Sequence, residues 1–150
     1  NSVIAVVSPA DRILEIINDS CSEDKDIIIR SSASRDSVRS SVEQGKQKGF
    51  TPVEVSENIA FFLGKLTREI IETYPVNGIV LTGGDTAIKT VNALNVSGTV
   101  IHKEIEPGIP YGNFIDEKFR NITVVTKAGG FGRKEAILRI LNFLREGQDK

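Results

Sequence analysis

An apolar run that breaks on two glycines and resumes as a helical pattern constrains this chain more than any other feature. Residues 78–94 read GIVLTGGDTAIKTVNAL. Ile79, Val80 and Leu81 are short, continuous and apolar, as in a strand buried on both faces. Ile88, Val91 and Leu94 follow at helical spacing. Between them stand Gly83, Gly84, Asp85 and Thr86, so the chain turns from strand to helix on a glycine pair. A second segment has the same outline: Val124-Val125-Thr126, then Lys127-Ala128-Gly129-Gly130-Phe131-Gly132, then Ile137, Ile140, Leu141 and Leu144 at helical spacing.

The rest of the chain alternates in the same way. Val3 to Val7 and Asp26 to Arg30 read as strands, with a short helix through Ile13, Leu14, Ile16 and Ile17 between them. A weakly apolar helix is expected from Arg35 to Lys48. A stronger one runs from Ser56, as N-cap, to Thr73, with Ile59, Phe62, Leu63, Leu66 and Ile70 on one stripe and Pro75 beyond its end. Thr99 to His102 is a strand entering an irregular stretch, Glu106-Pro107-Gly108-Ile109-Pro110-Tyr111-Gly112. The alternation predicts a three-layer α/β domain with a mostly parallel, partly mixed sheet and helices on both faces. The segment from Gly98 to Asn121 lacks a convincing helix, which places the antiparallel part there.

In such a sheet, strand–turn–helix junctions lie at the carboxyl ends of the strands, where ligands collect. Glycine admits a positive φ and removes the Cβ from the path of a ligand. The first turn of the helix adds unpaired amides and the positive end of a dipole. Two such turns on one sheet edge can hold a di- or triphosphate. A tight turn explains a glycine pair equally simply, and Asp85 or Thr86 can be a helix cap. The standard fingerprints are missing: no G-x-x-x-x-G-K-[ST] occurs, and the 129–132 turn does not fit G-x-G-x-x-G. That disfavours a dinucleotide-dependent oxidoreductase.

At 150 residues the chain fits one domain with a real core. With 19 basic and 20 acidic side chains, its net charge of -1 gives no general attraction to nucleic acid or an anionic membrane. No apolar stretch approaches the roughly 20 residues of a membrane span, and the opening residues do not read as a signal peptide. The lone Cys21 suits a reducing compartment, so a cytoplasmic location is expected. The chain contains no methionine and enters an apolar run by Val3, which fits a domain cut from a longer polypeptide and equally a processed whole protein.

Taken together and in order, "LTGGDTA", "EIEPGIPYG" and "TKAGGFG" resemble the nucleotide-binding domain of the four-carbon acid sugar kinase family, over essentially the whole chain. The resemblance implies ATP-dependent phosphorylation of a hydroxyl on a small sugar acid such as threonate, erythronate or an oxo form. It also implies a separate N-terminal domain for the acid, with no counterpart in this chain. Carried over by position, it implies ATP contacts at Ser8, Gly83, Gly84, Asp85, Thr86 and Gly129. The backbone argument favours the same two glycine turns, Gly130 included. Around Ser8 this chain has Val7-Ser8-Pro9-Ala10, shorter than the family's serine-rich turn.

Other side chains carry paired readings. Asp85 can hold a nucleotide-bound Mg²⁺ through water or cap a helix. Lys127 can pair with phosphate or be a solvated strand-end lysine. Glu106 and its Pro-Gly loop can face the acid-binding domain or form a rigid turn. Ser31 and Ser32 can touch nucleotide or make a turn. His102 has no second histidine or cysteine for a metal site and reads as structural or surface; no protein-ligated metal is expected. The expected function is ATP binding in a sugar-acid kinase, with the catalytic base unassigned and the isolated chain inactive. The expected partners are ATP or ADP and a sugar acid held by the other domain, with a homo-oligomer left open. A non-catalytic nucleotide-sensing or anion-binding module is the alternative.

Overall fold

A computed structural model describes residues 4–6, 13, 16–19, 26–32 and 34–146. Strands β1 (Ile4–Val6) and β2 (Ile27–Ile29) pair in parallel as a small sheet of their own. Two helices follow, α1 (Arg35–Gln47) and α2 (Pro52–Thr73). Strand β3 (Gly78–Thr82), helix α3 (Gly84–Leu94), strands β4 (Thr99–Glu106), β5 (Ile109–Phe114) and β6 (Thr123–Lys127), and helix α4 (Ala136–Glu146) complete the order. The second sheet runs β3-β6-β5-β4. Its β3–β6 pair is parallel, while β5–β6 and β4–β5 are antiparallel.

Strand alternation builds the three layers. Leu81 and Val124 join Leu94, Phe114, Phe119 and Ile122 in one cluster, against which Val91 and Ala87 of α3 pack. One residue along, Val125 enters the cluster of Ile109, Tyr111, Ala136 and Ile140, with Val80 packed beside it. Helices α3 and α4 thereby cover opposite faces of one sheet, because adjacent strand residues point opposite ways. A third cluster, Ile13, Ile17 and Leu66, packs with Ile27, Ile29 and Ile70, seating β2 and the helical residues 16–19 against α2.

Two expectations about this frame need correction. The α2 helix begins a turn before Ser56. Thr51 is its N-cap, Pro52 occupies the first turn, and Thr51 and Glu54 satisfy each other's backbone amides in a capping box. Its buried line is Ala60, Gly64 and Leu66, whereas Phe62 is exposed. The line shifts because α3 approaches at Gly64: a Cβ there would lie 2.7 Å from the Lys89 carbonyl oxygen. The second correction concerns residues 106–112, which form the turn of the β4–β5 hairpin and most of β5 rather than an irregular loop. Pro110 tolerates an interior strand because the register slips beside it, between Glu104 and Glu106.

The capping box yields an acid-side prediction. Hydrogen bonds from the Thr51 amide and then its hydroxyl hold the Glu54 carboxyl below its ordinary value of 4.5, against a smaller opposing desolvation. That contribution is complete above the unfolded value and fades as pH falls through the lowered folded one. Glu54→Gln removes the charged acceptor of the Thr51 amide and hydroxyl and is expected to lower stability in urea unfolding at neutral pH. The deficit should narrow toward pH 3; a deficit independent of pH contradicts the capping account.

Candidate functional site

Strands β3 and β6 end together. Their parallel register sets Thr82 opposite Lys127, and the next amide, Gly83 N–H, donates to the Lys127 carbonyl at 3.2 Å. The 83–86 and 128–132 turns therefore adjoin at one sheet edge. This is the crevice position expected for ligands in α/β sheets.

At the first turn, Gly83 has φ 89° and serves as N-cap of α3. Only glycine takes that conformation without strain. No side chain caps the helix, so the cap roles open to Asp85 and Thr86 are not taken. The amides of Gly84, Asp85 and Thr86 have no intrahelical acceptor at these positions, and the first bond into the helix is Ala87 N–H to Gly83 O at 3.0 Å. Asp85 is exposed, with no ion pair among the described residues.

Gly84, Gly129 and Gly130 differ in kind from Gly83. None has a positive φ, and a Cβ at any of the three would meet nothing within 4 Å. Neither backbone conformation nor neighbouring protein atoms require glycine there. Three bare backbone positions thus face open space on one edge.

The second turn departs from the expected strand–turn–helix outline. Phe131 N–H closes it onto Ala128 O at 3.2 Å, Gly132 takes φ 85°, and a further turn closes at Ala136 N–H to Arg133 O before α4 begins. The α4 amino terminus is therefore set back from Gly129 and Gly130, and their cradle is turn backbone rather than a helix end. The Lys127 ammonium bends over this turn and donates to Ala128 O at 3.2 Å, placing a cation against the second glycine turn.

The remaining candidates separate from this edge. Ser8 lies outside the described residues. Ser32 is committed to the start of α1, donating to Ser34 O at 2.8 Å and lying 2.6 Å from Ser37 Oγ, while Ser31 is exposed beyond β2. His102 Nε2 and Asn113 Oδ1 are 2.9 Å apart on the exposed side of the hairpin, in keeping with a structural role. Glu106 is turned inward: Arg133 N–H reaches its Oε2 at 3.5 Å, and Arg139 Nε lies 3.2 Å from its Oε1. The sequence reading missed this inward turn; an acidic residue just before Pro-Gly at a strand end was its only trace. A depression of about 450 Å³ lies at the opposite end of the sheet, lined by Tyr74, Val76, Phe119 and Asn121. Its charged rim, Glu72 and Lys118, is already paired at 2.6 Å, and it has no bare backbone edge; the glycine edge is the better candidate. Among the described residues, no three His, Cys, Asp or Glu side chains gather to hold a metal, and no helix is long and apolar enough to cross a membrane.

Comparison with known proteins identifies relatives named as kinases. D-threonate kinase of Salmonella typhimurium is 37% identical over 93 residues, covering 62% of this chain and 22% of that enzyme. D-threonate kinase of Bordetella bronchiseptica is 34% identical over 91 residues, again 61% of this chain and 22% of the relative. The match thus spans about a fifth of the length of these curated relatives. Among solved structures, a domain of unknown function from Bordetella bronchiseptica, with bound citrate and as a domain-swapped dimer, superposes with a TM-score of 0.70. It is 25% identical, and the superposition covers 96% of this chain and 33% of that one. Residues 5–137 match the family described as the nucleotide-binding C-terminal domain, and the chain belongs to that family, the nucleotide-binding domain of four-carbon acid sugar kinases.

Proposed function

We propose that this chain binds ATP for a kinase that transfers the γ-phosphoryl group to a hydroxyl of a four-carbon sugar acid. The observation that carries the reading is the edge of bare backbone at Gly84, Gly129 and Gly130, where a side chain would fill open space. Phosphate oxygens approaching that edge would meet the free first-turn amides of α3 and the Lys127 ammonium. Gly83 and Gly132 shape the two turns, and Thr86 adds a hydroxyl beside the first. Asp85, exposed and uncapped, suits a water-mediated contact to Mg²⁺ carried by the nucleotide. The cation, when bound, neutralises charge on the transferring phosphoryl group. These residues position the nucleotide, which is most of what phosphoryl transfer asks of a protein. The relatives named as D-threonate kinases point to the acceptor class.

We assign the acid and the base that activates its hydroxyl to a separate N-terminal domain, and location to the cytoplasm. Calorimetric titration with ADP and Mg²⁺ tests the cradle, and inorganic phosphate is the competitor. Saturable ADP binding that equimolar phosphate leaves intact is expected, since the two turns together recognise adjoining phosphates. Phosphate displacing ADP at similar concentration would reduce the site to a generic anion cradle. Turnover is tested with ATP and a panel of four-carbon acids. Less than about 1 per second is expected for this chain alone, and a gain of ATP consumption when a family N-terminal domain is supplied. Nucleotide binding without any gain would favour a sensing module.

A further inference from the structure

We propose that Glu106 is a positioning residue that latches the second glycine turn in its nucleotide-binding shape, an inference that rests on the function proposed above. Its side chain is only 10% exposed, although it sits at the end of β4 beside a surface turn. A buried carboxylate is costly unless its oxygens find partners. Here Oε2 faces the backbone N–H of Arg133 at 3.5 Å. Oε1 faces Arg139 Nε at 3.2 Å as an ion pair, without the alignment of a hydrogen bond. Arg133 directly follows Gly132, the residue whose φ of 85° redirects the chain out of the glycine turn. Glu106 thus spans from the hairpin to the exit of the turn, and from there to α4.

A second contact joins the same two segments. A Cβ on Gly108 would lie 2.3 Å from the Phe131 ring, so the aromatic side chain of the glycine turn rests directly on the hairpin glycine. A Cβ on Gly129 or Gly130 would meet nothing within 4 Å, so no neighbour packs against the side-chain face of either residue. Their geometry is therefore set at the flanks, by Lys127 in β6 on one side and by Phe131 and Arg133 on the other. Both oxygens of Glu106 are engaged inward, so it acts through the turn rather than on substrate. That gives the "EPG" and "GGFG" segments a single shared purpose.

Amide hydrogen exchange without nucleotide and ADP calorimetry, each on the parent, Glu106→Ala and Glu106→Gln, test the latch. Glu106→Ala is expected to speed exchange within residues 129–133 and to weaken ADP binding about tenfold, the scale of a charge-assisted hydrogen bond. Glu106→Gln keeps an acceptor for the Arg133 amide and should recover most of both. A residue that merely stabilised the hairpin would lower the melting temperature in both variants and leave ADP affinity unchanged; that outcome overturns the proposal. If Glu106→Ala does not fold, Arg139→Gln removes the cation from Oε1 and should give faster exchange confined to residues 129–133. Unchanged or uniformly raised exchange in that variant refutes the latch. If the parent itself does not bind ADP, the proposed function fails, and the exchange data alone then decide for or against the latch.

Discussion

Gly84→Val is expected to abolish nucleotide binding while leaving the fold in place. The substituted residue stands at the start of α3, where a Cβ meets no protein atom within 4 Å. Nothing has to move to admit it, and an exposed substitution of this kind shifts stability by only about 0.5 kcal/mol. In the proposed cradle the branched side chain would instead occupy the space through which phosphate oxygens reach the free amides of Gly84, Asp85 and Thr86. Affinity for ADP should fall by at least about a hundredfold, the equivalent of ~2.7 kcal/mol. Gly84→Ala, with one methyl group, should fall between parent and valine variant. The melting temperature and circular dichroism spectrum should stay close to the parent's. Parent-like affinity in the valine variant would sink the cradle assignment.

Gly112→Ala is expected to do the reverse, damaging the fold far from any ligand. Gly112 pairs with Ile101 of β4 on one side and Val124 of β6 on the other. A Cβ there would lie 2.0 Å from the Val100 carbonyl oxygen and 2.8 Å from its carbon. These are backbone atoms of an adjoining strand, so relief requires opening the β4–β5 ladder rather than turning a side chain. Overpacking of this kind costs about 3 kcal/mol, which for a chain of this size lowers the melting temperature by roughly 6–12 °C. A variant that melts within about 2 °C of the parent would show that the hairpin yields there more readily than its geometry indicates. Together the two substitutions separate glycines that serve the chain from glycines that serve a ligand.

The sequence by itself determined the α/β class, the two glycine turns and the order of most elements. These are local matters. Val80-Leu81 and Val124-Val125 announce strands buried on both faces, and Ile137, Ile140 and Leu144 announce the stripe of α4. The glycine pair at 83–84 marks the point where β3 becomes α3. Pattern alone also predicted an antiparallel segment between Gly98 and Asn121, because no helix could be found there to return the chain. It misread Glu106 to Gly112 as irregular, since Pro110 argues against a strand until the register slip beside it is seen.

Only the tertiary structure decided which glycines are bare. Gly83, Gly84 and Gly112 look alike in one dimension. One needs a positive φ, one faces open space and one lies against a neighbouring carbonyl. That distinction depends on what surrounds each Cα, and Val100 and Gly112 become neighbours only through strand pairing. The same holds for the edge itself. The hydrogen bond from Gly83 to Lys127 joins residues 44 positions apart in the sequence, and Glu106 reaches Arg133 and Arg139 only because the hairpin folds back over the second turn. Local pattern places turns along a chain; which turns meet, and what holds their shape, is settled by the pairing of β3 with β6 and by the hairpin packed beside them.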